Sequence, residues 1–356
     1  PIARILPIRV LATSNTDETV DLNLDYRELF DLNGRLAEAV RYLKIKIINL
    51  SINKKPSVDL SIRDRRMSIE AACVDDFAKK LGVIVVISAG NIEVEELNEY
   101  LKNQGKIGLE NPSHLDSEAG YVLKILPPAD FQSGISVGSC WPSENLKKFY
   151  PSWFSRFATS EKGKVPNMPS CLAIGGDYFL TSEDGDLWVS STGHAKSLIT
   201  LQNYGHCNSD DRLFLDQGTS LATPHVTRAL AIASAQFPEA SAETIKGLFL
   251  HRAYASKRTS LTKPTDSPLS ETIKLAKGAS ANGTLSNKDE LDFLYNNPSS
   301  NDELTYAIEG EILHEKILSY DVPIDDLKQL MRERVEHKIR IRVSLSYFPL
   351  LPAWYA

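Results

Sequence analysis

The sequence predicts an α/β fold: a doubly wound, mostly parallel sheet with helices on both faces. Strand-like and helix-like segments alternate through the first 255 residues, which is the order that βαβ units require. Residues 83–89 form a short apolar run. Such a run is typical of a parallel strand that is covered on both faces.

The first elements follow from hydrophobic spacing. Residues 2–11 are strand-like, and residues 13–31 are acidic and turn-like. Apolar side chains recur at helical spacing over residues 36–43, and residues 45–52 form the next strand.

A longer helix is predicted over residues 68–81, with Gly82 in position to cap its carboxyl end. The face predicted to be buried consists of Ile69, Ala72, Cys73, Phe77 and Ala78. Residues 134–139 and 171–176 are short apolar strands that end at glycines, and residues 92–118 and 141–168 are predicted to be surface excursions.

Residues 218–226 indicate a sharp turn that leads into a helix running to about residue 235. Ser220 falls in the first turn of that helix, where the helix dipole favours developing negative charge. This location suits a nucleophile. A second helix follows over residues 241–251, and its first residues form a reasonable amino-terminal cap.

Composition changes after residue 255. Residues 256–303 are rich in small polar residues and lysine, which indicates a linker or an insertion. Residues 304–356 regain a β pattern, including alternating basic and apolar residues at 338–347, so we expect a smaller β-rich module.

Charge and composition exclude several classes of function. The net charge of −6 and the absence of a basic stripe argue against a nucleic-acid partner. No apolar run is long enough to span a membrane, so no membrane partner is predicted. The four cysteines form no C-x-x-C pair, which argues against a metal site and favours buried thiols. Unpaired thiols weakly favour the cytoplasm.

The segment Gly-Thr-Ser-Leu-Ala-Thr-Pro-His-Val at residues 218–226 resembles the serine motif of the subtilisin-like protease family, the subtilases. Every fixed position of the family pattern Gly-Thr-Ser-x-Ala-x-Pro-His-Val is present. The resemblance covers about residues 1–255. It implies a subtilisin-like fold, a polypeptide substrate, no required cofactor, and Ser220 as the nucleophile of an endopeptidase. Pro224 fits a first helical turn, where N–H groups lack partners.

The sequence Ser-Ala-Gly-Asn at residues 88–91 resembles the oxyanion motif of the same family. The resemblance implies that Asn91 donates its side-chain N–H₂ to the oxyanion, with the backbone N–H of Ser220 as second donor. It also assigns Gly90 to substrate binding. This motif closes the buried strand at its carboxyl end, the edge at which parallel sheets bind ligands.

Residues 49–53 resemble the family strand whose end pairs with the bound peptide as an added β-strand. The resemblance implies that Ser51, Ile52 and Asn53 bind substrate. The family usually has Gly at the position of Asn53, so we expect this side chain to narrow the pocket for the residue before the scissile bond.

The chain departs from the family in one respect. The family order is Asp, His, Ser, yet no histidine precedes His114 and no Asp-Ser/Thr-Gly motif occurs early in the chain. We therefore expect the catalytic Asp and His upstream of residue 1, and residues 1–356 alone to be inactive. His225 lies five residues after Ser220, on another side of the helix, and is assigned to packing.

Two alternatives remain open. A pseudoprotease would bind a peptide strand without cutting it. An α/β-hydrolase would place its acid and histidine after the serine, but the Gly-x-Ser-x-Gly pattern fails at Ala222.

Overall fold

A computed structural model describes nine stretches of the chain: residues 25–53, 68–103, 125–142, 149–156, 168–177, 180–183, 186–189, 198–201 and 213–255. The predicted strand at residues 2–11, the predicted linker at 256–303 and the predicted module at 304–356 lie outside these stretches. The proposed division into domains therefore stays a prediction.

Six helices lie in the described stretches: α1 (Tyr26–Leu29), α2 (Arg35–Leu43), α3 (Ile69–Leu81), α4 (Val94–Asn103), α5 (Thr219–Gln236) and α6 (Ala242–Ala255). Nine strands accompany them: β1 (Ile47–Leu50), β2 (Ile84–Ser88), β3 (Ile135–Pro142), β4 (Phe149–Pro151), β5 (Cys171–Ile174), β6 (Leu180–Glu183), β7 (Asp186–Val189), β8 (Leu198–Leu201) and β9 (Leu213–Asp216).

The central sheet is mostly parallel. β1 pairs with β2, β2 with β3, and β3 with β5, all in parallel. β4 is the exception, because it runs antiparallel to the last residues of β3. Cys140 pairs with both β4 and β5, so those two strands lie on opposite edges of β3. The predicted α/β class with a mostly parallel sheet is confirmed.

Helices cover both faces of this sheet. The alternate β2 residues Val85 and Ile87 pack with α1, α2 and α3 in one core cluster. Their neighbours Ile84 and Val86 pack with α5 and α6 in the other cluster. Every residue of β2 is buried. The period of two along a strand divides its side chains between the two layers, which explains why residues 84–87 of β2 are all apolar.

Several helix ends match the sequence signals. Ser68 caps α3 by accepting a hydrogen bond from Ala71 N, and Gly82 ends the helix in the left-handed conformation. The predicted turn-like character of residues 13–31 is wrong at α1. Asp25 caps that short helix by accepting hydrogen bonds from the N–H groups of Arg27 and Glu28.

The predicted buried face of α3 needs correction. Phe77 and Ala78 are buried as expected, but Ile69 is 59% exposed, and Ala72 and Cys73 are only half-buried. The fully buried positions are instead Ala71, Val74, Asp75, Phe77 and Ala78. The helix is therefore rotated relative to the predicted face, and a carboxylate lies on its buried side.

The buried carboxylate of Asp75 binds the backbone of the loop that leads into β3. It accepts hydrogen bonds from Gln132 N at 3.0 Å and Ser133 N at 2.6 Å. From the opposite layer, the buried Lys246 on α6 donates to Ser133 O at 2.9 Å. Burial raises the pKa of the Asp75 carboxyl, and burial lowers the pKa of the Lys246 ammonium. One loop thus joins the helical layers of both faces.

The sequence analysis also missed some elements. Helix α4 lies inside the predicted surface excursion at 92–118, and its Leu97 is buried. The two hairpins β6–β7 and β8–β9 were not predicted. In the excursion predicted at 141–168, residues 149–151 instead form β4 and pair with β3, and the following Trp153 and Phe154 are buried.

Candidate active site

The start of helix α5 is set against the end of strand β5 by a backbone contact. Gly218 N donates to Gly175 O at 2.7 Å. A Cβ atom built on Gly175 would lie 2.6 Å from Gly218 O and 2.4 Å from Ser139 Oγ. No side chain fits between the two backbones, so glycine at 175 allows the helix to begin directly beside the sheet.

Ser220 is the second residue of α5 and is half-buried. Its position in the first helical turn places the hydroxyl at the positive end of the helix dipole. Among the described residues, no histidine or carboxylate forms a hydrogen bond with Ser220 Oγ. The structure thus places Ser220 where the sequence predicts it, without an adjacent base in the described stretches.

The orientation of the Asn91 amide is fixed by Thr219. Asn91 Oδ1 accepts two hydrogen bonds from Thr219, one from its N–H and one from its hydroxyl, each at 2.9 Å. A backbone N–H can only donate, so the amide atom beside it has to be the oxygen. Nδ2 is therefore turned the other way, with its two hydrogens unused by the described residues.

Asn91 Nδ2 and Ser220 Oγ face the same small space. A methyl group built on Gly218 would lie 3.1 Å from Ser220 Oγ and 3.4 Å from Asn91 Nδ2. Ser220 Oγ and Asn91 Nδ2 are therefore the two side-chain atoms that lie nearest to one point beside Gly218.

Ser51 forms a hydrogen bond with the backbone of Ser220. Its hydroxyl donates to Ser220 O at 3.3 Å and accepts from Asn49 Nδ2 at 3.1 Å. Asn49 in turn accepts from Thr227 Oγ1, on the second turn beyond the serine, at 2.7 Å. This chain of hydrogen bonds joins the end of β1 to α5.

Pro224 explains why Ser220 O is available to Ser51. In a helix the carbonyl of Ser220 would accept from the N–H of residue 224, but proline has none. Pro224 is the sixth residue of α5, so its assignment to the first helical turn is wrong. Its consequence is a carbonyl that Ser51 serves instead.

Two hydrogen bonds link Asn53, which follows β1, to Ser88 at the end of β2. Asn53 Nδ2 donates to Ser88 O at 2.7 Å, and Ser88 Oγ donates to Asn53 Oδ1 at 2.8 Å. Ser88 is buried and Asn53 half-buried. The side chain of Asn53 is thus held by two bonds in the crevice at the carboxyl ends of adjacent parallel strands.

The other two residues predicted to bind substrate, Ile52 and Gly90, form hydrogen bonds through their backbone atoms. Ile52 packs at the edge of the core, and its carbonyl accepts from Tyr26 Oη at 3.1 Å. Gly90 has a φ of +97°, which a side chain would strain, and its N–H donates to Thr219 Oγ1 at 3.2 Å. Thr219 therefore binds both residues of the Gly-Asn turn.

The sequence analysis missed Arg156 as a neighbour of this site. Its guanidinium donates from Nε to Asn91 O at 2.7 Å and pairs with Glu96 through Nη2. It lies in the segment predicted to be a surface excursion. Only the pairing of β4 with β3 brings it here, and nothing local in the sequence signals that pairing.

His225 is half-buried on the helix, as the packing assignment implies. Burial lowers the pKa of its imidazole, and the nearby Arg228 lowers it further. Cys140 and Cys171 are buried free thiols, and burial raises the pKa of each. Within the described stretches, no group of acidic, histidine and cysteine side chains could hold a metal ion, and no helix is long and apolar enough to cross a membrane.

The chain is similar to known proteases. A family model described as the Subtilase family matches residues 1–288. The epidermin leader peptide-processing serine protease EpiP of Staphylococcus epidermidis is 29% identical to this chain over 160 residues. Those residues are 44% of this chain and 29% of that protein. The uncharacterised protein y4bN of Sinorhizobium fredii is 25% identical over 298 residues, 78% of this chain and 62% of that protein. The matches span less than two thirds of either relative.

Two solved structures resemble the fold at low identity. A lanthipeptide protease is 20% identical with a TM-score of 0.43, covering 75% of this chain and 66% of the other. The EpiP protease of Staphylococcus aureus is 21% identical with a TM-score of 0.37, covering 72% of this chain and 52% of the other.

Proposed function

Because the chain belongs to the subtilase family, we propose that it is a serine endopeptidase that forms an acyl-enzyme on Ser220. The observation that carries the proposal is that Ser220 Oγ and Asn91 Nδ2 both lie next to one point beside Gly218. In this mechanism Ser220 Oγ bonds to the scissile carbonyl carbon and the amine product leaves. Water then hydrolyses the ester and restores the hydroxyl.

Two donors would stabilise the tetrahedral intermediate. Asn91 Nδ2, aimed by Thr219, donates from the side-chain amide, and the backbone N–H of Ser220 donates from the first turn of α5. Both are held before substrate arrives, so little reorganisation accompanies the reaction. The helix dipole adds to the stabilisation of negative charge at this point.

A base has to remove the proton of the Ser220 hydroxyl. In the subtilase family this base is a histidine that an aspartate orients. The sequence has no histidine before His114. The proposal therefore includes a histidine and an aspartate that precede the strand-like residues 2–11. Residues 1–356 alone would then lack an activated nucleophile.

The proposed substrate is a polypeptide that lies along residues 51–53 as an added strand. EpiP is named for processing a leader peptide, so precursor peptides are the first substrates to test.

A fluorophosphonate probe tests the assignment of the nucleophile. We expect the protein as its gene encodes it to be labelled rapidly, with the adduct mapped to Ser220 by mass spectrometry. We expect residues 1–356 alone to be labelled slowly, because an alcohol at its ordinary pKa is a poor nucleophile. Rapid labelling of residues 1–356 alone would show that the base lies within them.

The alternative is a pseudoprotease that binds a peptide strand without cutting it. The observation in its favour is that no described histidine or carboxylate bonds to Ser220 Oγ. Slow labelling of the gene-encoded protein, together with peptide binding, would establish this function and exclude the peptidase.

We propose that Asn53 restricts the residue before the scissile bond to small side chains. Replacing it in Asn53→Gly removes the group that Ser88 holds in the crevice. We expect the ratio of kcat/KM for Phe over Ala at that substrate position to rise by about tenfold or more, a size typical of pocket changes. Paired fluorogenic peptides that differ only at this residue measure the ratio.

Asn33→Gly is the matched control, because Asn33 is exposed on the loop before α2. If the Phe-over-Ala ratio of kcat/KM is unchanged in Asn53→Gly, Asn53 does not determine this specificity. A general loss of activity leaves the ratio unaffected, so the two effects can be separated.

A further inference from the structure

Arg156 lies beneath the turn that carries Asn91. Its side chain is buried, with 3% of its surface exposed. Arg156 follows β4, which pairs antiparallel with β3. The residues between β4 and Arg156 then run antiparallel to the residues that follow β2. Asn91 and Ser155 form an isolated bridge, and Ile92 N donates to Phe154 O at 2.8 Å.

Three contacts tie Arg156 to this turn. Its Nε donates to Asn91 O at 2.7 Å, and its backbone N–H donates to Gly90 O at 3.3 Å. Its Nη2 pairs with Glu96 on α4, the helix that begins three residues after Asn91. One residue thus holds two successive carbonyls of the turn and the helix that follows it.

Arg156 does more than neutralise Glu96, because its Nε donates to the carbonyl of Asn91. That carbonyl belongs to the peptide plane directly after the Asn91 Cα, so its orientation sets the backbone from which the side chain projects.

Asn91 is therefore held through both its side chain and its main chain. Thr219 fixes the side-chain oxygen, and Arg156 fixes the main-chain oxygen. Release of either contact would let Nδ2 swing away from the space beside Ser220 Oγ. A displacement of about 1 Å at a reacting geometry can lower the rate by about 10²-fold.

We propose that Arg156 is a positioning residue that aims Asn91 at the oxyanion. The proposal rests on the role of Asn91 in the proposed function. Arg156 makes no contact with substrate in this role. It acts through the peptide plane of Asn91, and the ion pair with Glu96 holds the guanidinium in the orientation that this contact needs.

A double-mutant cycle tests this role in the gene-encoded protein. We expect Arg156→Lys, which keeps the charge but loses the Nε donor, to lower kcat by about 10- to 100-fold with KM nearly unchanged. In an Asn91→Ala background the same change should have less than about a twofold effect, because the group it positions is absent. Binding of a peptide aldehyde, which forms a tetrahedral adduct with serine, should weaken in parallel with kcat.

Arg41→Lys is the matched control, since the exposed Arg41 also donates from its guanidinium to a backbone carbonyl, that of Leu32. If Arg156→Lys fails to fold in a thermal melt, Glu96→Gln replaces it in the cycle. That variant keeps the Nε bond but loosens the guanidinium, so a smaller drop in kcat is expected, again absent beside Asn91→Ala.

Equal losses in both backgrounds would overturn the inference, because Arg156 would then act independently of Asn91. An Asn91→Ala variant with full activity would instead overturn the oxyanion role that the proposed function gives to Asn91. The two failures are therefore distinguishable in one set of measurements.

Discussion

Replacing the nucleophile should abolish turnover: we expect Ser220→Ala to lower kcat by about 10⁶-fold, the size of loss measured for the corresponding change in a subtilisin. The methyl group of alanine cannot form the ester, while the remaining groups of the site stay in place. Cleavage of a fluorogenic peptide by the gene-encoded protein measures the loss, with active-site titration to count competent sites.

Ser234→Ala provides a control on the same helix. Ser234 lies near the carboxyl end of α5, about four turns from Ser220, and its loss should leave kcat unchanged. An unchanged melting temperature in both variants shows that the fold is retained. Substantial peptide cleavage by a folded Ser220→Ala variant would refute the acyl-enzyme on this residue.

The second large effect concerns the oxyanion donor. We expect Asn91→Ala to lower kcat by about 10²- to 10³-fold, the range measured when such a donor is removed from a subtilisin. KM should change little, because the amide is proposed to bind the charge that develops in the transition state rather than the ground-state carbonyl. Steady-state kinetics over a range of peptide concentrations separates the two constants.

Asn91→Asp refines this experiment. An aspartate keeps both acceptor contacts with Thr219 but replaces the Nδ2 donor with a second oxygen. A loss at least as large as that of Asn91→Ala would assign the effect to the donor itself. Near-normal kcat in Asn91→Asp would mean that the contacts with Thr219, not the donor, matter. Asn33→Ala serves as the control for an asparagine outside the site.

The sequence predicted those parts of the fold that local pattern determines. β2 and α5 could be identified because an apolar run and a helical repeat each carry their own signal. The cap at Gly82 is equally local. β4 and the residues that follow it could not be identified, since their position depends on the pairing of β4 with β3, which hydrophobic spacing does not reveal.

The site divides in the same way. Ser220 and Asn91 lie in recognisable motifs, and the fold brings them to one space. Arg156 and the bond between Asn53 and Ser88 depend on contacts between segments far apart in the chain. The exposed Ile69 shows the converse error, in which an apolar residue at suitable helical spacing faces solvent because neighbouring layers set the rotation of α3.

The proline four residues after Ser220 has a consequence for how binding and reactivity communicate. The carbonyl of Ser220 accepts a hydrogen bond from the Ser51 hydroxyl, just after strand β1, rather than from its own helix. A peptide that docks along residues 51–53, as proposed, would contact the residue that binds this carbonyl. Peptide binding and the position of Ser220 would then be thermodynamically coupled, and the coupling free energy would be the same in both directions.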